Sequence, residues 1–146
     1  MPHLTLSIGP GGPILDFLCG VSKPRAEALT KAKVAVPPYV AVRGLVDTGA
    51  SITSFDSSIL RQLGVVSKGT IQIHTPSTDH GKPHIANQYD VSVILRHPQA
   101  TRIWQALPVF ESSLSHQGIQ ALIGRDILNY CLLTYDGNSK LFALAF

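Results

Sequence analysis

Twelve glycines and ten prolines are spread over 146 residues, so the chain is cut into short segments from end to end. Long helices cannot survive such punctuation, whereas short strands joined by turns can. The longest alternations confirm the direction. Leu4, Leu6 and Ile8 are interleaved with Thr5 and Ser7, the period of two of a half-buried strand. Residues 3–9 therefore read as a strand, Gly9–Pro13 as a turn, and Ile14–Val21 as the hairpin partner. Further strands are expected at 39–46, 70–75, 84–95 and 102–110, with a terminal hairpin, 132–135 and 140–146, around Asp136-Gly-Asn138. Two segments read as helix. One is 24–33, with Ser22 as cap and Pro24 in its first turn; the other is 57–63, closed by Gly64. Residues 122–128 begin as a strand and turn helical after Gly124.

The length suits a single domain able to bury a core without staples. Apolar residues make up 45% and charged residues only 14% of the chain, against about 25% charged in an average protein, which excludes a disordered segment. No apolar run approaches the ~20 residues of a bilayer span. The N-terminus lacks the basic head and apolar stretch of a signal peptide, so a cytoplasmic protein without a membrane partner is expected. A net charge of +3 from scattered basic residues does not make the clustered basic face that nucleic acid requires. The shortage of charge leaves a monomer poorly covered, which an oligomer would relieve. Cys19 and Cys131 lie in apolar stretches and read as inert thiols.

The sharpest local feature is Leu45-Val46-Asp47-Thr48-Gly49-Ala50-Ser51. A strand fixes a carboxylate, Gly49 permits a sharp turn and close approach of a second chain, and Thr48 can bond a facing loop. By itself the string also fits a turn with an Asx-type hydrogen bond. A second motif, Ala121-Leu122-Ile123-Gly124-Arg125-Asp126-Ile127-Leu128, places an apolar pair before a glycine and a short helix. Between the two stands Gln88-Tyr89-Asp90.

Together these motifs resemble the retropepsins, the single-domain aspartic proteases of retroviral type, and more closely their cellular and bacterial branch. The resemblance covers roughly residues 39–146; residues 1–38 are then an N-terminal hairpin plus helix added to a protease core, all within one domain. It implies an all-β closed barrel of the acid protease fold, with one or two short helices and half an active site per chain. It further implies Asp47 as the catalytic residue, with Thr48, Gly49, Ala50, Leu122, Ile123, Gly124 and Arg125 supporting its loop. Residues 71–95 would form a flap whose Thr75, Asp79, His80 and Gly81 meet substrate.

One count bears on assembly. The chain holds a single Asp-Thr-Gly, whereas such chemistry uses two facing carboxylates that share one proton. The implied enzyme is a twofold homodimer that cleaves a peptide or protein substrate with an activated water and no metal or organic cofactor. The end strands, 3–9 and 140–146, would serve its interface.

Departures from the family pattern are equally legible. Ala50 replaces a hydroxyl residue that could donate to the ionised carboxylate, which implies a mildly rather than strongly acidic optimum. Viral enzymes carry an acid where Ser51 stands, so the partner of Arg125 is open among Asp56, Asp126 and a backbone carbonyl. That gap sustains an alternative, a weakly catalytic peptide-binding or dimerisation module. A lesser alternative pairs Asp47 with Asp126 inside one chain. His74, His80 and His84 fall in one presumed hairpin, but they read as exposed or substrate-facing rather than as metal ligands.

Overall fold

The computed structural model describes residues 1–74 and 81–146. Ten strands are seen among them: β1 (His3–Ser7), β2 (Ile14–Val21), β3 (Val40–Val46), β4 (Ser54–Asp56), β5 (Gly69–Ile73), β6 (His84–His97), β7 (Ala100–Ser112), β8 (Ala121–Ile123), β9 (Leu132–Asp136) and β10 (Leu141–Ala145). Three short helices accompany them, where one or two were expected: α1 (Lys23–Lys31), α2 (Ser57–Leu63) and α3 (Arg125–Leu128). No helix among the described residues is long and apolar enough to cross a membrane.

Six strands close a barrel. They run β2-β3-β8-β4-β7-β6, and β6 returns to β2 through the pairs Leu18–Ile94 to Val21–Val91. Closure consumes the edges that an open sheet would leave for aggregation. The long hairpin β6–β7 can bend around this ring because its register shifts between Val91 and Val93, where an extra residue locally tightens the twist. Among the described residues β5 pairs only with β6, through Gly69–Gln88 to Ile73–His84. The inward residues of every wall fill the core: Leu15, Phe17, Val42, Phe55, Val91, Val93, Leu95, Val109 and Ile123 are buried. Phe17 meets Phe55 edge to face at 5.9 Å, the arrangement that ring quadrupoles favour.

The expected β1–β2 hairpin does not form. The turn itself is present, with Gly12 N–H donating to the Gly9 carbonyl at 3.0 Å and Gly12 at φ +95°. Beyond it the strands separate into different sheets. β2 has β3 on one edge and β6 on the other, and β1 pairs instead with β10, placing Leu4 opposite Leu144 and Leu6 opposite Phe142. Pro10 and Pro13 explain why the turn does not propagate a ladder, since neither has an N–H to donate. The N-terminal segment thus contributes a barrel strand. β1, β10 and β9 form a separate three-stranded sheet, with β10 in its centre.

The helices start where side chains cap them. The Ser22 hydroxyl accepts from Arg25 N–H at 3.3 Å, with Pro24 in the first turn. α1 buries none of its residues. α2 packs Ile59, Leu60 and Leu63 inward and stops at Gly64 in the left-handed region. Its cap is Asp56 rather than one of the neighbouring serines. Asp56 is buried and accepts from Ser58 N–H (3.0 Å), the Ser58 hydroxyl (2.5 Å), Leu114 N–H (2.7 Å) and Ser115 N–H (2.9 Å). Burial pushes its pKa up, but the Ser58 hydroxyl and the three N–H donors outweigh it and hold the carboxyl at about 2, below the ordinary 3.8.

That shift predicts a pH-dependent contribution to stability. A depressed carboxylate stabilises the fold above its unfolded pKa and loses the effect as pH falls through the folded value. The shift corresponds to about 2–3 kcal/mol at about 1.36 kcal/mol per unit. Asp56→Asn should therefore lower the urea unfolding free energy by that amount at pH 7. The gap between variant and parent should narrow between pH 4 and 2; a constant gap over that window would refute the assignment.

The two thiols are unpaired, Cys19 buried and Cys131 half-buried. Burial pushes Cys19 up to about 12 and also raises Cys131, against a smaller opposing effect of the Arg102 charge. Neither is a reactive thiolate.

Candidate active site

Asp47 is the first residue after β3, and its position is set by what lies beside that strand. β3 pairs in parallel with β8, Gly44 opposite Ala121, Leu45 opposite Leu122 and Val46 opposite Ile123. The ladder continues one step further, Asp47 N–H donating to the Ile123 carbonyl at 3.0 Å. Val46 N–H is held by the Pro13 carbonyl at 2.9 Å. The backbone that carries the carboxylate is therefore fixed from two sides. Gly44 makes the close packing possible: a Cβ there would lie 2.7 Å from the Phe17 ring and 3.1 Å from Ile123.

The chain then turns sharply. Gly49 N–H donates to Asp47 Oδ1 at 2.9 Å, and Ala50 N–H to the Asp47 carbonyl at 3.2 Å. The Asx-type turn that the sequence allowed is therefore present at Asp47. Asp47 and Ala50 are half-buried, whereas Thr48, Gly49 and Ser51 are exposed.

The second motif braces this loop from beneath. Arg125 N–H donates to the Ala50 carbonyl at 2.9 Å. Its guanidinium Nη1 donates to the Thr48 carbonyl at 2.9 Å and to the Gly49 carbonyl at 3.2 Å. Of the three partners left open for Arg125, the backbone carbonyl is the one it takes. A cation on loop carbonyls holds the turn without needing an acid at Ser51.

Thr53 and Asp126 complete the brace, and sequence reasoning missed Thr53 altogether. Its fully buried hydroxyl donates to Asp126 Oδ1 at 2.6 Å and accepts from Gly124 N–H at 3.0 Å. Thr53 N–H donates to Asp126 Oδ2 at 2.9 Å, and Asp126 Oδ1 also accepts from Ile127 N–H at 2.9 Å. The only cue in the sequence was a β-branched, strand-like run, Ile52-Thr-Ser-Phe55. Both oxygens of Asp126 are thus engaged by these donors, as Oδ1 of Asp47 is by Gly49 N–H.

The remaining residues divide. Leu122 and Ile123 pair with Leu45 and Val46, the residues that lead into the loop, and Gly124 sits against the Ile52–Thr53 backbone. Gly81 is exposed with φ +93°, while Thr75, Asp79 and His80 lie outside the described residues. Of Gln88-Tyr89-Asp90, Asp90 pairs with Lys68 at 2.6 Å and Tyr89 directs its hydroxyl to Glu111 at 3.4 Å. Trp104 is half-buried and stacks with Arg102, whose guanidinium also lies 5.0 Å from the Tyr130 ring. Among the described residues no cluster of three or more His, Cys, Asp or Glu could hold a metal ion.

The fold is similar to that of a solved structure. The crystal structure of a retropepsin-like aspartic protease from Rickettsia conorii aligns over 99% of this chain and 91% of its own, with a TM-score of 0.56 and 14% identity. The retroviral protease-like domain of Ddi1 from Leishmania major aligns over 85% of this chain and 82% of its own, with a TM-score of 0.39 and 15% identity. No protein-family model matches the sequence, and no curated protein matches it. The chain has the retropepsin-like fold.

Proposed function

We propose that the protein is an aspartic endopeptidase whose active unit is a homodimer. The observation that carries this reading is the single Asp47-Thr48-Gly49 loop, held on β8 and braced by Arg125, in a retropepsin-like fold. Asp47 of one protomer and its symmetry mate share one proton. The ionised carboxylate takes a proton from the water between them while the other protonates the amide carbonyl, giving a tetrahedral intermediate without a covalent adduct.

Thr48 is exposed at the loop tip, where it can reach the partner's loop. The β5–β6 hairpin serves as a flap over an extended peptide, which binds by strand-type main-chain hydrogen bonds with pockets for alternate side chains. The alternative of a weakly catalytic binding module drew on the missing acid at Ser51. The bonds from Arg125 to Thr48 and Gly49 weaken it, because the loop is braced without that acid.

Two measurements test the reading. Cleavage of a proteome-derived peptide mixture, followed by mass spectrometry, should give activity per protomer that falls on dilution as dimers dissociate; activity independent of concentration would refute the shared site. The pH–rate profile should peak in the mildly acidic range, because Ala50 offers no hydroxyl to the ionised carboxylate. A maximum below about pH 3, the range of a pepsin-type dyad, would contradict that reasoning.

A further inference from the structure

Charge is not spread evenly over this fold. Four of the twelve basic residues, Lys23, Arg25, Lys31 and Lys33, lie on α1 or just after it, against one acid, Glu27. That surplus of three equals the net charge of the whole chain, so the remaining residues balance. All four are exposed, and among the described residues none of them makes an ion pair. The helix itself buries nothing; Ala26 and Leu29 alone are half-buried.

α1 also ends on a residue that its backbone does not favour. Lys33 N–H donates to the Thr30 carbonyl at 3.0 Å and Val34 N–H to the Leu29 carbonyl at 2.9 Å, the bonds that close a helix around a left-handed residue. Glycine is the usual occupant, yet Lys33 holds the position at φ +58°. The chain accepts that steric cost and keeps a cation there.

Apolar side chains flank the cations at both ends. After the helix, Val34 is 53% and Val36 41% exposed, on a strap that Pro37 and Pro38 stiffen. Tyr39 anchors the strap: its ring rests on Gly20, where a Cβ would lie 2.5 Å away. At the start of the helix, Val66 is 74% exposed and lines a shallow depression with Arg25.

We propose that α1 and its flanking valines form a docking surface for a membrane of anionic lipid. The lysines and the arginine meet the negative headgroups, and Val34, Val36 and Val66 enter the boundary between headgroups and acyl chains. A soluble acidic polypeptide would answer the charge and leave the valines in water. A nucleic acid without base pairing would call for stacking aromatics, and the one ring here, Tyr39, already lies on Gly20. The expectation of no membrane partner rested on the lack of a spanning segment, which attachment to a surface does not need.

The test is co-sedimentation of the full chain with vesicles of phosphatidylcholine alone and of phosphatidylcholine with phosphatidylserine. Binding is expected on the second kind and not on the first, and added salt should weaken it by screening exposed charges. Lys31→Gln with Lys33→Gly removes two of the four cations and should lower the partition coefficient at least about tenfold. The urea midpoint of that variant should not fall, since glycine suits the left-handed position. Val34→Ser with Val36→Ser should lower the partition coefficient at least about threefold. Arg96→Gln with Lys140→Gln, an equal loss of charge elsewhere, should leave it unchanged.

Equal binding to both kinds of vesicle, binding to neither, or the same loss in the Arg96 and Lys140 pair overturns the proposal. Binding that the lysine pair weakens and the valine pair does not overturns it as well. So does capture of polyglutamate or duplex DNA without vesicle binding, which assigns α1 to a soluble polyanion. Vesicle binding is read without any cleavage, so its failure leaves the peptidase reading standing.

Discussion

Asp47→Asn should abolish peptide cleavage while leaving fold and dimer intact. General acid–base groups of this kind contribute about 10²–10⁴-fold, and one substitution removes the ionisable group from both halves of the proposed shared site, so a loss of at least about 10³-fold is expected. The fold should be indifferent because the loop uses Asp47 as an acceptor. Gly49 N–H bonds to its Oδ1 at 2.9 Å, and asparagine keeps that oxygen. The backbone bonds of Asp47, from its N–H to Ile123 and from Ala50 N–H to its carbonyl, do not involve the side chain. Exchange of a charged for a neutral acceptor at a half-buried site should cost no more than about 1 kcal/mol. The measurement is turnover of a cleaved peptide beside urea unfolding and sedimentation of the same preparation. Retained turnover would sink the catalytic assignment, whereas lost turnover with a lost fold would show that Asp47 is structural.

Gly124→Ala should have the largest structural effect of any single methyl added to the site. The backbone of Gly124, at φ −88° and ψ −179°, is open to any residue, so the penalty comes from space alone. A Cβ there would lie 2.8 Å from the Ile52 carbonyl carbon, 3.0 Å from its oxygen and 3.0 Å from Thr53 N. All three are backbone atoms and cannot rotate away. Relief requires β8 and the Ile52–Thr53 segment to part, which stretches the buried bond from Gly124 N–H to the Thr53 hydroxyl. Overpacking costs about 1–3 kcal/mol and a compromised buried hydrogen bond about 1 kcal/mol more. A loss of about 2–4 kcal/mol by denaturant unfolding is expected, with cleavage reduced in parallel because the same segment braces the Asp47 loop. Gly9→Ala is the control, since a Cβ there meets nothing within 4 Å. Equal midpoints for the two variants would show that the close approach does not matter.

The sequence made most of the elements visible, and the reasons are local. β1 announced itself by alternation, α1 by Ser22 and Pro24, α2 by its apolar spacing and Gly64, and the last hairpin by Asp136-Gly-Asn138. The loop at Asp47 was legible because a carboxylate, a hydroxyl and a glycine directly after an apolar strand form a compact local pattern. Errors arose where the answer depended on a distant partner. β1 faces β10 rather than β2 because Leu144 and Phe142 offer it an apolar counterpart, and alternation says nothing about which strand supplies one. Arg125 finds the carbonyls of Thr48 and Gly49, more than seventy residues away in sequence. Thr53 stayed invisible because a buried hydroxyl shared between Gly124 and Asp126 has no pattern of its own.

What the chain determined by itself is its division into short strands and the compact turn that follows Val46 at Asp47-Thr48-Gly49. Turn residues, alternation and caps act over a few positions, so they can be read one segment at a time. Only the tertiary structure decided how six of the strands close, that β2 is a barrel wall, and that β10 is the central strand between β1 and β9. Those outcomes follow from which apolar faces and unpaired backbone groups meet, and that is settled jointly by segments far apart in sequence.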